Sequence, residues 1–200
     1  MQRIKKIIKE SILVKDSIYN NEHLINSIRD IINVVTESYK NKGKVLFCGN
    51  GGSAADAQHL AAELSGRFYY ERPPLFAEAL HVNTSYLTAV ANDYSFDDVY
   101  SRLVKAFGKT GDILIGLSTS GNSVNIINAF IAAKKLGMKT IAFTGKDGGK
   151  LKLIADYLIN VPSSDTPRIQ ESHIMIGHII CEIVESNMFP KQIDQILNPI

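Results

Sequence analysis

One segment constrains the fold more than any other part of the chain: Lys44 to Arg67, KVLFCGNGGSAADAQHLAAELSGR. Its apolar start at Lys44–Cys48 predicts a short buried strand, the glycines that follow predict a tight turn, and the residues from Ser53 onwards predict a helix. Ser53 and Asp56 have the spacing of a capping box. Backbone amides in a glycine-rich turn and the positive end of a helix both favour a bound anion. The segment therefore predicts an anion site where a strand passes into a helix.

The rest of the pattern alternates strands with helices. Further strands are expected at 76–82, 113–117, 139–144 and 156–161; helices are expected at 84–92, 96–107, 124–136, 151–155 and 168–187. This alternation indicates an α/β fold, with a parallel five-stranded sheet wrapped by helices in a flavodoxin-like three-layer sandwich. Ligands of such sheets bind at the carboxyl ends of the strands.

Residues 2–41, before the first strand, carry apolar side chains at helical spacing, and a break at Asn20-Asn21 predicts two helices. This N-terminal helical hairpin either packs on a partner subunit or covers its own sheet, and the sequence leaves both open. The length of 200 residues favours a single domain. Within it, residues 1–42 would be the N-terminal helices for oligomer packing and residues 43–190 the α/β core.

Charge and composition argue against several classes of function. The 22 lysines and arginines nearly balance the 20 aspartates and glutamates without a run of like charge, so neither nucleic acid nor an anionic membrane is an expected partner. No apolar run approaches the roughly 20 residues of a membrane span, and the N-terminus lacks the features of a signal peptide. Cys48 and Cys181 belong to no C-x-x-C motif, which suits two structural thiols in a reducing cytoplasm.

Three groups of side chains suit chemistry on a phosphorylated substrate. His59 and Glu63 lie four residues apart, roughly 40° around a helix, and so share one face as an acid/base or metal-binding pair. The loop 118–123, STSGNS, offers hydroxyls beside the amides of a helix N-terminus, as a phosphate monoester requires, although an ordinary serine-rich turn has the same composition. Gln170 and His178 lie roughly 80° apart on the last helix and could point toward one site. Taken singly, each histidine is more often a structural residue than a ligand.

Dinucleotide binding is a weaker interpretation. Residues 49–54, GNGGSA, match the G-x-G-x-x-A fingerprint. The acidic residue expected at the end of the second strand would be Glu71, which lies instead in a proline-containing connection. A nucleotide site also has no need of His59 and Glu63 on the helix.

Five motifs follow one another along the chain: Gly49–Ala54, His59-x-x-x-Glu63, Ser118–Ser123, Thr144–Gly149 and Arg168-Ile169-Gln170-Glu171-x-His173. Together they resemble the sugar isomerase (SIS) domain family and, within it, the bacterial phosphoheptose isomerases, over residues 2–190. The resemblance implies conversion of sedoheptulose 7-phosphate to D-glycero-D-manno-heptose 7-phosphate through an enediol, the first step of nucleotide-activated heptose biosynthesis. It also implies a cytoplasmic homotetramer with sites at the subunit contacts, which would give the N-terminal helices a partner.

The resemblance assigns roles to particular residues. Glu63 matches the general base and His178 the general acid. The ligands of one zinc ion per subunit would be His59, Glu63, Gln170 and His178. The phosphate would be held by Ser118, Thr119, Ser120 and Ser123; the same pocket would be lined by Asn50, Gly52, Ser53, Glu63 and Gln170; and Asn92 and Asp93 would reach the sugar hydroxyls.

The residue types agree with this chemistry. Conversion of a ketose to an aldose moves one proton between adjacent carbons, and a carboxylate can take the carbon-bound proton while an imidazole serves the oxygens. A cation could act as a Lewis acid for the enediolate. A Glu63 that held a metal tightly would keep less basicity for carbon, and the sequence leaves open which role prevails.

The alternative from a different class is a non-catalytic SIS adaptor that binds a DnaA-type initiator protein. The tail after Asn187 resembles that branch, and Pro167 stands where some isomerases have an acidic residue. The adaptor branch lacks the glutamate and the second histidine, so Glu63 and His178 favour the enzyme.

Overall fold

The computed structural model describes residues 1–190; most of the tail that resembles the adaptor branch, 191–200, lies outside the described residues. One fully parallel sheet has five strands in the order β2-β1-β3-β4-β5. The strands are β1 Val45–Gly49, β2 Ala77–Ala79, β3 Ile113–Leu117, β4 Lys139–Thr144 and β5 Tyr157–Asn160. This strand order places a topological switch between β1 and β3, where open α/β sheets bind their ligands. The predicted α/β class and parallel five-stranded sheet are confirmed.

Within the described part of the chain, seven α-helices surround the sheet: α1 Gln2–Tyr19, α2 Glu22–Lys40, α3 Gly52–Ser65, α4 Thr84–Asp93, α5 Val99–Phe107, α6 Val124–Lys135 and α7 Thr166–Met188. A short 3-10 turn at Phe96–Asp98 replaces the start of the helix predicted at 96–107. Another, at Leu151–Leu153, replaces the helix predicted at 151–155. None of the helices within residues 1–190 is long and apolar enough to cross a membrane.

The helices divide into two layers because side chains alternate between the faces of each strand. Phe47, Ile115 and Phe143 join the core beneath α2, α3 and α7. Their neighbours on the same strands, Cys48, Leu114 and Ala142, lie on the opposite face and join the core beneath α4, α5 and α6. The three layers of the prediction are therefore present, and both cysteines are buried in them.

The two N-terminal helices behave differently. Helix α2 buries a full apolar stripe, including Ile28, Ile31 and Val35, in the core beneath its own sheet. Helix α1 buries Ile18 near its end, whereas five of its other large apolar residues (Ile4, Ile7, Ile8, Ile12 and Leu13) are exposed. Of the two interpretations of the hairpin, covering its own sheet holds for α2, whereas packing of α1 on a partner subunit stays a prediction.

The predicted capping box at the start of α3 is wrong. The helix begins one residue earlier than expected, after Gly51, whose positive φ of 55° few other residues adopt readily. Ser53 is therefore already inside the first turn and buried, and no side chain caps this end. Asp56 does not reach back to a free amide, and its Oδ2 is buried without a partner within the described chain. The turn thus leaves the backbone N–H groups of Gly51 and Gly52, at the carboxyl end of β1, without an acceptor among residues 1–190.

Candidate active site

Two helices of one layer, α3 and α7, carry the predicted acid, base and metal-binding residues. They run in the same direction: the start of α3 lies beside Gln170, and Leu60 lies against Gly177 further along α7. A Cβ on Gly177 would stand 2.5 Å from Leu60 Cδ1, so the glycine allows the helices to approach closely. His59 precedes Leu60 and His178 follows Gly177, so the same contact brings the two histidines together.

His59, Glu63 and His178 form a compact cluster. His59 Nε2 lies 3.0 Å from Glu63 Oε1, which confirms that these two side chains share a helix face. The rings of His59 and His178 meet edge to face with 5.0 Å between centroids. One ligand atom from each of the three residues lies within 4.8 Å of the other two. The helix geometry and the close packing at Gly177 thus assemble an acid–base cluster from two distant parts of the chain.

The donor set of this cluster fits a zinc ion. Two imidazoles and a carboxylate are ligand types that zinc takes in catalytic sites, with further positions left for another ligand or for substrate. His178 Nε2 is buried and has no hydrogen-bond partner among residues 1–190, so one donor already lacks a protein partner. We therefore consider the residues suited to the metal that the sequence resemblance implies.

Gln170, the fourth predicted ligand, lies at the start of the α3–α7 contact. Its side-chain amide fills the space that a Cβ on Gly52 would need, with Nε2 only 2.5 Å from that position. His178 is eight residues further along α7, roughly 12 Å in helical rise. The structure therefore joins Gln170 and Gly52, two predicted substrate-binding residues, while the role of Gln170 as a metal ligand stays a prediction.

The serine-rich loop 118–123 connects β3 to α6, as predicted. Ser118 and Ser123 pair through their hydroxyls at 3.0 Å, so Ser123 does not cap α6 although it stands at the N-cap position. The backbone N–H groups of Thr119, Ser120 and Ser123 have no acceptor within residues 1–190. Hydroxyls and free amides thus converge at the positive end of a helix, which is the arrangement that binds phosphate.

A neighbouring loop holds the serine-rich loop in shape. Gly121 has a φ of 65°, and a Cβ there would stand 2.2 Å from the carbonyl oxygen of Gly148. Asn122 Oδ1 accepts a hydrogen bond from the backbone N–H of Lys150, and Gly145 N–H donates to the carbonyl of Thr119. The Thr144–Gly149 motif of the sequence is therefore a backbone support for the predicted phosphate loop.

A pair of asparagines joins the two ligand loops. Asn50, predicted to line the pocket, exchanges two side-chain hydrogen bonds of 3.0 Å with Asn125 in the first turn of α6. Asn125 is not among the predicted site residues, since an asparagine in an apolar helix carries no local signal of its partner. This bridge fixes the glycine-rich turn of β1 relative to the serine-rich loop of β3.

Asn92 and Asp93 are placed apart from the His59 cluster. They end α4, which belongs to the layer on the other side of the sheet. Both are exposed, and Asn92 Nδ2 donates to Asp93 Oδ1 at 2.9 Å. No hydrogen bond within residues 1–190 links them to the other predicted site residues, so their contact with sugar hydroxyls stays a prediction.

Phe68 and Cys181 lie beside the cluster, and neither is among the predicted site residues. The ring of Phe68 lies 5.8 Å from the ring of His178 and packs on Tyr69. Cys181, one turn after His178, is buried, and this burial raises the pKa of its thiol to about 12. It therefore stays protonated, as expected of a structural thiol.

Comparison with known proteins agrees with these observations. The SIS domain family matches residues 13–145. Phosphoheptose isomerase from Sulfurimonas denitrificans is 54% identical over 186 residues, which cover 93% of this chain and 95% of that protein. The enzyme of the same name from Clostridium acetobutylicum is 53% identical over 192 residues, covering 96% and 98%.

The fold also matches solved structures. Phosphoheptose isomerase from Neisseria gonorrhoeae superposes with a TM-score of 0.87 at 45% identity, covering 92% of this chain and 98% of that one. The chain therefore belongs to the SIS domain family and, within it, to the phosphoheptose isomerases.

Proposed function

We propose that this protein is an aldose–ketose isomerase that converts sedoheptulose 7-phosphate to D-glycero-D-manno-heptose 7-phosphate. One observation carries the proposal: Glu63 and His178, from helices far apart in sequence, meet in one cluster with His59. The glycine-rich turn, which the Asn50–Asn125 pair ties to the proposed phosphate loop, leads into α3 seven residues before His59, roughly 10 Å along the helix. This separation suits a substrate that carries its phosphate on C7 and reacts at C1 and C2.

The proposed reaction exchanges one proton between neighbouring carbons. The Glu63 carboxylate takes a proton from C1, which breaks the C1–H bond and forms an enediol, and then returns a proton to C2, which forms the new C2–H bond. The His178 imidazole moves the hydroxyl proton from O1 to O2, so that the carbonyl shifts from C2 to C1 without an oxidant or a reductant. Ser118, Thr119, Ser120 and Ser123 would hold the phosphate throughout.

One zinc ion per subunit, held by His59, Glu63 and His178 with Gln170 as the predicted fourth ligand, would supply Lewis acidity for the enediolate. This proposal is supported by the compact donor cluster and by His178 Nε2, which has no hydrogen-bond partner within residues 1–190. We further propose that the enzyme acts in the cytoplasm as a homotetramer and feeds nucleotide-activated heptose biosynthesis. The exposed apolar residues of α1 support the assembly.

The test begins with metal-stripped protein and sedoheptulose 7-phosphate, followed by NMR with and without added zinc. Aldoheptose signals support the isomerase, and their dependence on zinc tests the metal site. Glu63→Gln and His178→Gln should each abolish turnover while the protein stays folded. The matched controls Glu182→Gln and His23→Gln replace exposed residues of the same types and should keep full activity.

An adaptor gives a different outcome in the same experiment. It would bind the phosphosugar without converting it and would retain a protein partner. Binding without conversion in either metal state would therefore overturn the isomerase, and retained activity in Glu63→Gln or His178→Gln would overturn the roles assigned to those residues.

A further inference from the structure

A buried ion pair lies at the far end of the α3–α7 contact. Arg72 Nε donates to Glu185 Oε1 at 2.9 Å, and the two side chains are 0% and 1% exposed. The partners are 113 residues apart: Arg72 belongs to the connection between α3 and β2, and Glu185 to the last turns of α7. The pair therefore ties the end of one helix to the side of the other.

Arg72 donates hydrogen bonds to backbone carbonyls at the carboxyl end of α3. A helix leaves its last carbonyls without intrahelical partners, and a positive charge there is favourable. Arg72 Nη2 donates to the carbonyl of Glu63 at 2.9 Å, and Nη1 donates to the carbonyl of Gly66 at the same distance. The guanidinium thus holds the backbone of Glu63 directly.

Glu185 holds the chain that follows α3. Its two carboxylate oxygens accept the backbone N–H groups of Phe68 and Tyr69 at 2.9 and 2.8 Å. The ring of Phe68 then packs against the ring of His178. Glu185 itself is seven residues beyond His178, which places both on one face of α7, roughly 20° apart.

We propose that Arg72 and Glu185 are positioning residues for the isomerase, setting the distance and orientation of Glu63 relative to His178. This inference rests on the proposed function. The pair touches Glu63 through its carbonyl and His178 through Phe68, and both ends are anchored in the packed α3–α7 contact. A buried ion pair is often no more stabilising than apolar side chains of similar size, so its contribution here is assigned to geometry and not to stability.

The experiment replaces both charges at once, with Arg72→Met and Glu185→Leu in one protein, so that no unpaired charge is left buried. The chain offers a matched control. Lys44 and Asp112 form the other buried ion pair of the described residues, at the amino-terminal ends of β1 and β3, and Asp112 also accepts backbone N–H groups. The control protein carries Lys44→Met with Asp112→Leu.

Turnover of sedoheptulose 7-phosphate, Tm and the pH profile of kcat/KM are measured for the wild type and both double variants. We expect the Arg72/Glu185 variant to lose at least tenfold in kcat, with KM within twofold of the wild type and a displaced pH profile. The control should lower Tm by a comparable amount and keep kcat within twofold.

Three outcomes would contradict the proposal: an Arg72/Glu185 variant with wild-type kcat and pH profile, a control that loses as much kcat, or a loss that appears only in KM. If either double variant fails to fold, Arg72→Lys decides, because lysine keeps the charge but cannot donate to three acceptors in a fixed plane. It should fold with a lowered Tm, because buried carbonyls lose their donors, and it should lower kcat several-fold; unchanged kcat would overturn the proposal. An inactive wild type would instead refute the proposed function.

Discussion

Ser118 is the most buried polar residue of the proposed phosphate loop, and within residues 1–190 its hydroxyl is paired only with that of Ser123. We predict that Ser118→Ala raises KM for sedoheptulose 7-phosphate about tenfold and leaves kcat within about threefold, since a lost hydrogen bond to a charged group weakens binding by about 1.5 kcal/mol or more. Steady-state kinetics measures both constants. Ser17→Ala, at an exposed position of α1, is the matched control and should change neither. An unchanged KM would exclude Ser118 from the phosphate site.

His173 on α7 should make stability depend on pH. Its Nε2 lies 3.2 Å from the carbonyl of Thr144 and its Nδ1 has no partner within residues 1–190. Burial lowers the pKa of this imidazole from 6.5 to about 4, because a second proton would be buried without an acceptor. The unfolded chain thus binds the proton more readily between these values, and the free energy of unfolding falls as the pH falls from about 6.5 to about 4.

The expected loss over that range is about 3 kcal/mol relative to a variant that does not titrate there. Urea unfolding of the wild type and of His173→Gln at several pH values measures it, because glutamine can donate to the same carbonyl and carries no titrating group. If the free energy of unfolding depended on pH in the same way in the two proteins, His173 would contribute nothing to that dependence. Activity need not follow, since His173 lies outside the acid–base cluster.

At the scale of elements, the packing of α3 on α7 decides whether replacing Gly177 by alanine raises or lowers the free energy of unfolding. Replacing a glycine inside a helix by alanine normally stabilises by about 1 kcal/mol. At Gly177 the new Cβ would meet Leu60, which is buried in a close-packed core. We therefore predict that Gly177→Ala lowers both stability and kcat, because it separates the helices that carry Glu63 and His178.

The effect of Gly177→Ala on stability should reverse in a protein in which Leu60 is shortened. In a Leu60→Ala background, Gly177→Ala should stabilise the protein by about 1 kcal/mol, since the steric conflict is gone and helix propensity remains. Chemical denaturation of the four proteins in this double-mutant cycle gives the coupling. Additive effects of the two substitutions would show that the contact does not set the spacing of the helices.

At the scale of the whole molecule, α1 is the part of the described chain with the most unpartnered apolar surface. Ile8 and Ile12 lie one turn apart and are 55% and 58% exposed. We predict that Ile8→Asp with Ile12→Asp reduces the proposed tetramer to smaller species, because two charges would enter an apolar contact. Sedimentation velocity measures the mass. Leu153→Asp, at an exposed leucine outside α1, should keep the wild-type mass. A tetramer that survives the double substitution would place the contact elsewhere.

Local patterns predicted the elements well where several signals agreed. Strands β3 and β4 begin and end at the predicted residues, because turn residues bound both of them: Gly111-Asp112 and Ser118 for β3, and Gly137 and Gly145 for β4. The second strand is shorter than predicted, three residues rather than seven, because β2 is an edge strand that pairs only with β1. The capping box failed because Gly51 starts the helix early, and backbone conformation of that kind leaves no periodic signal.

The sequence by itself determined the α/β alternation, the glycine-rich and serine-rich loops, and the shared face of His59 and Glu63. Each depends on residues within one or two turns of one another, where the geometry of the helix or strand decides what lies together. Only the tertiary structure brought His178 to that face, paired Asn50 with Asn125, and joined Arg72 to Glu185. These partners are 75 to 119 residues apart, and close packing between elements, such as Leu60 against Gly177, decides which of them meet.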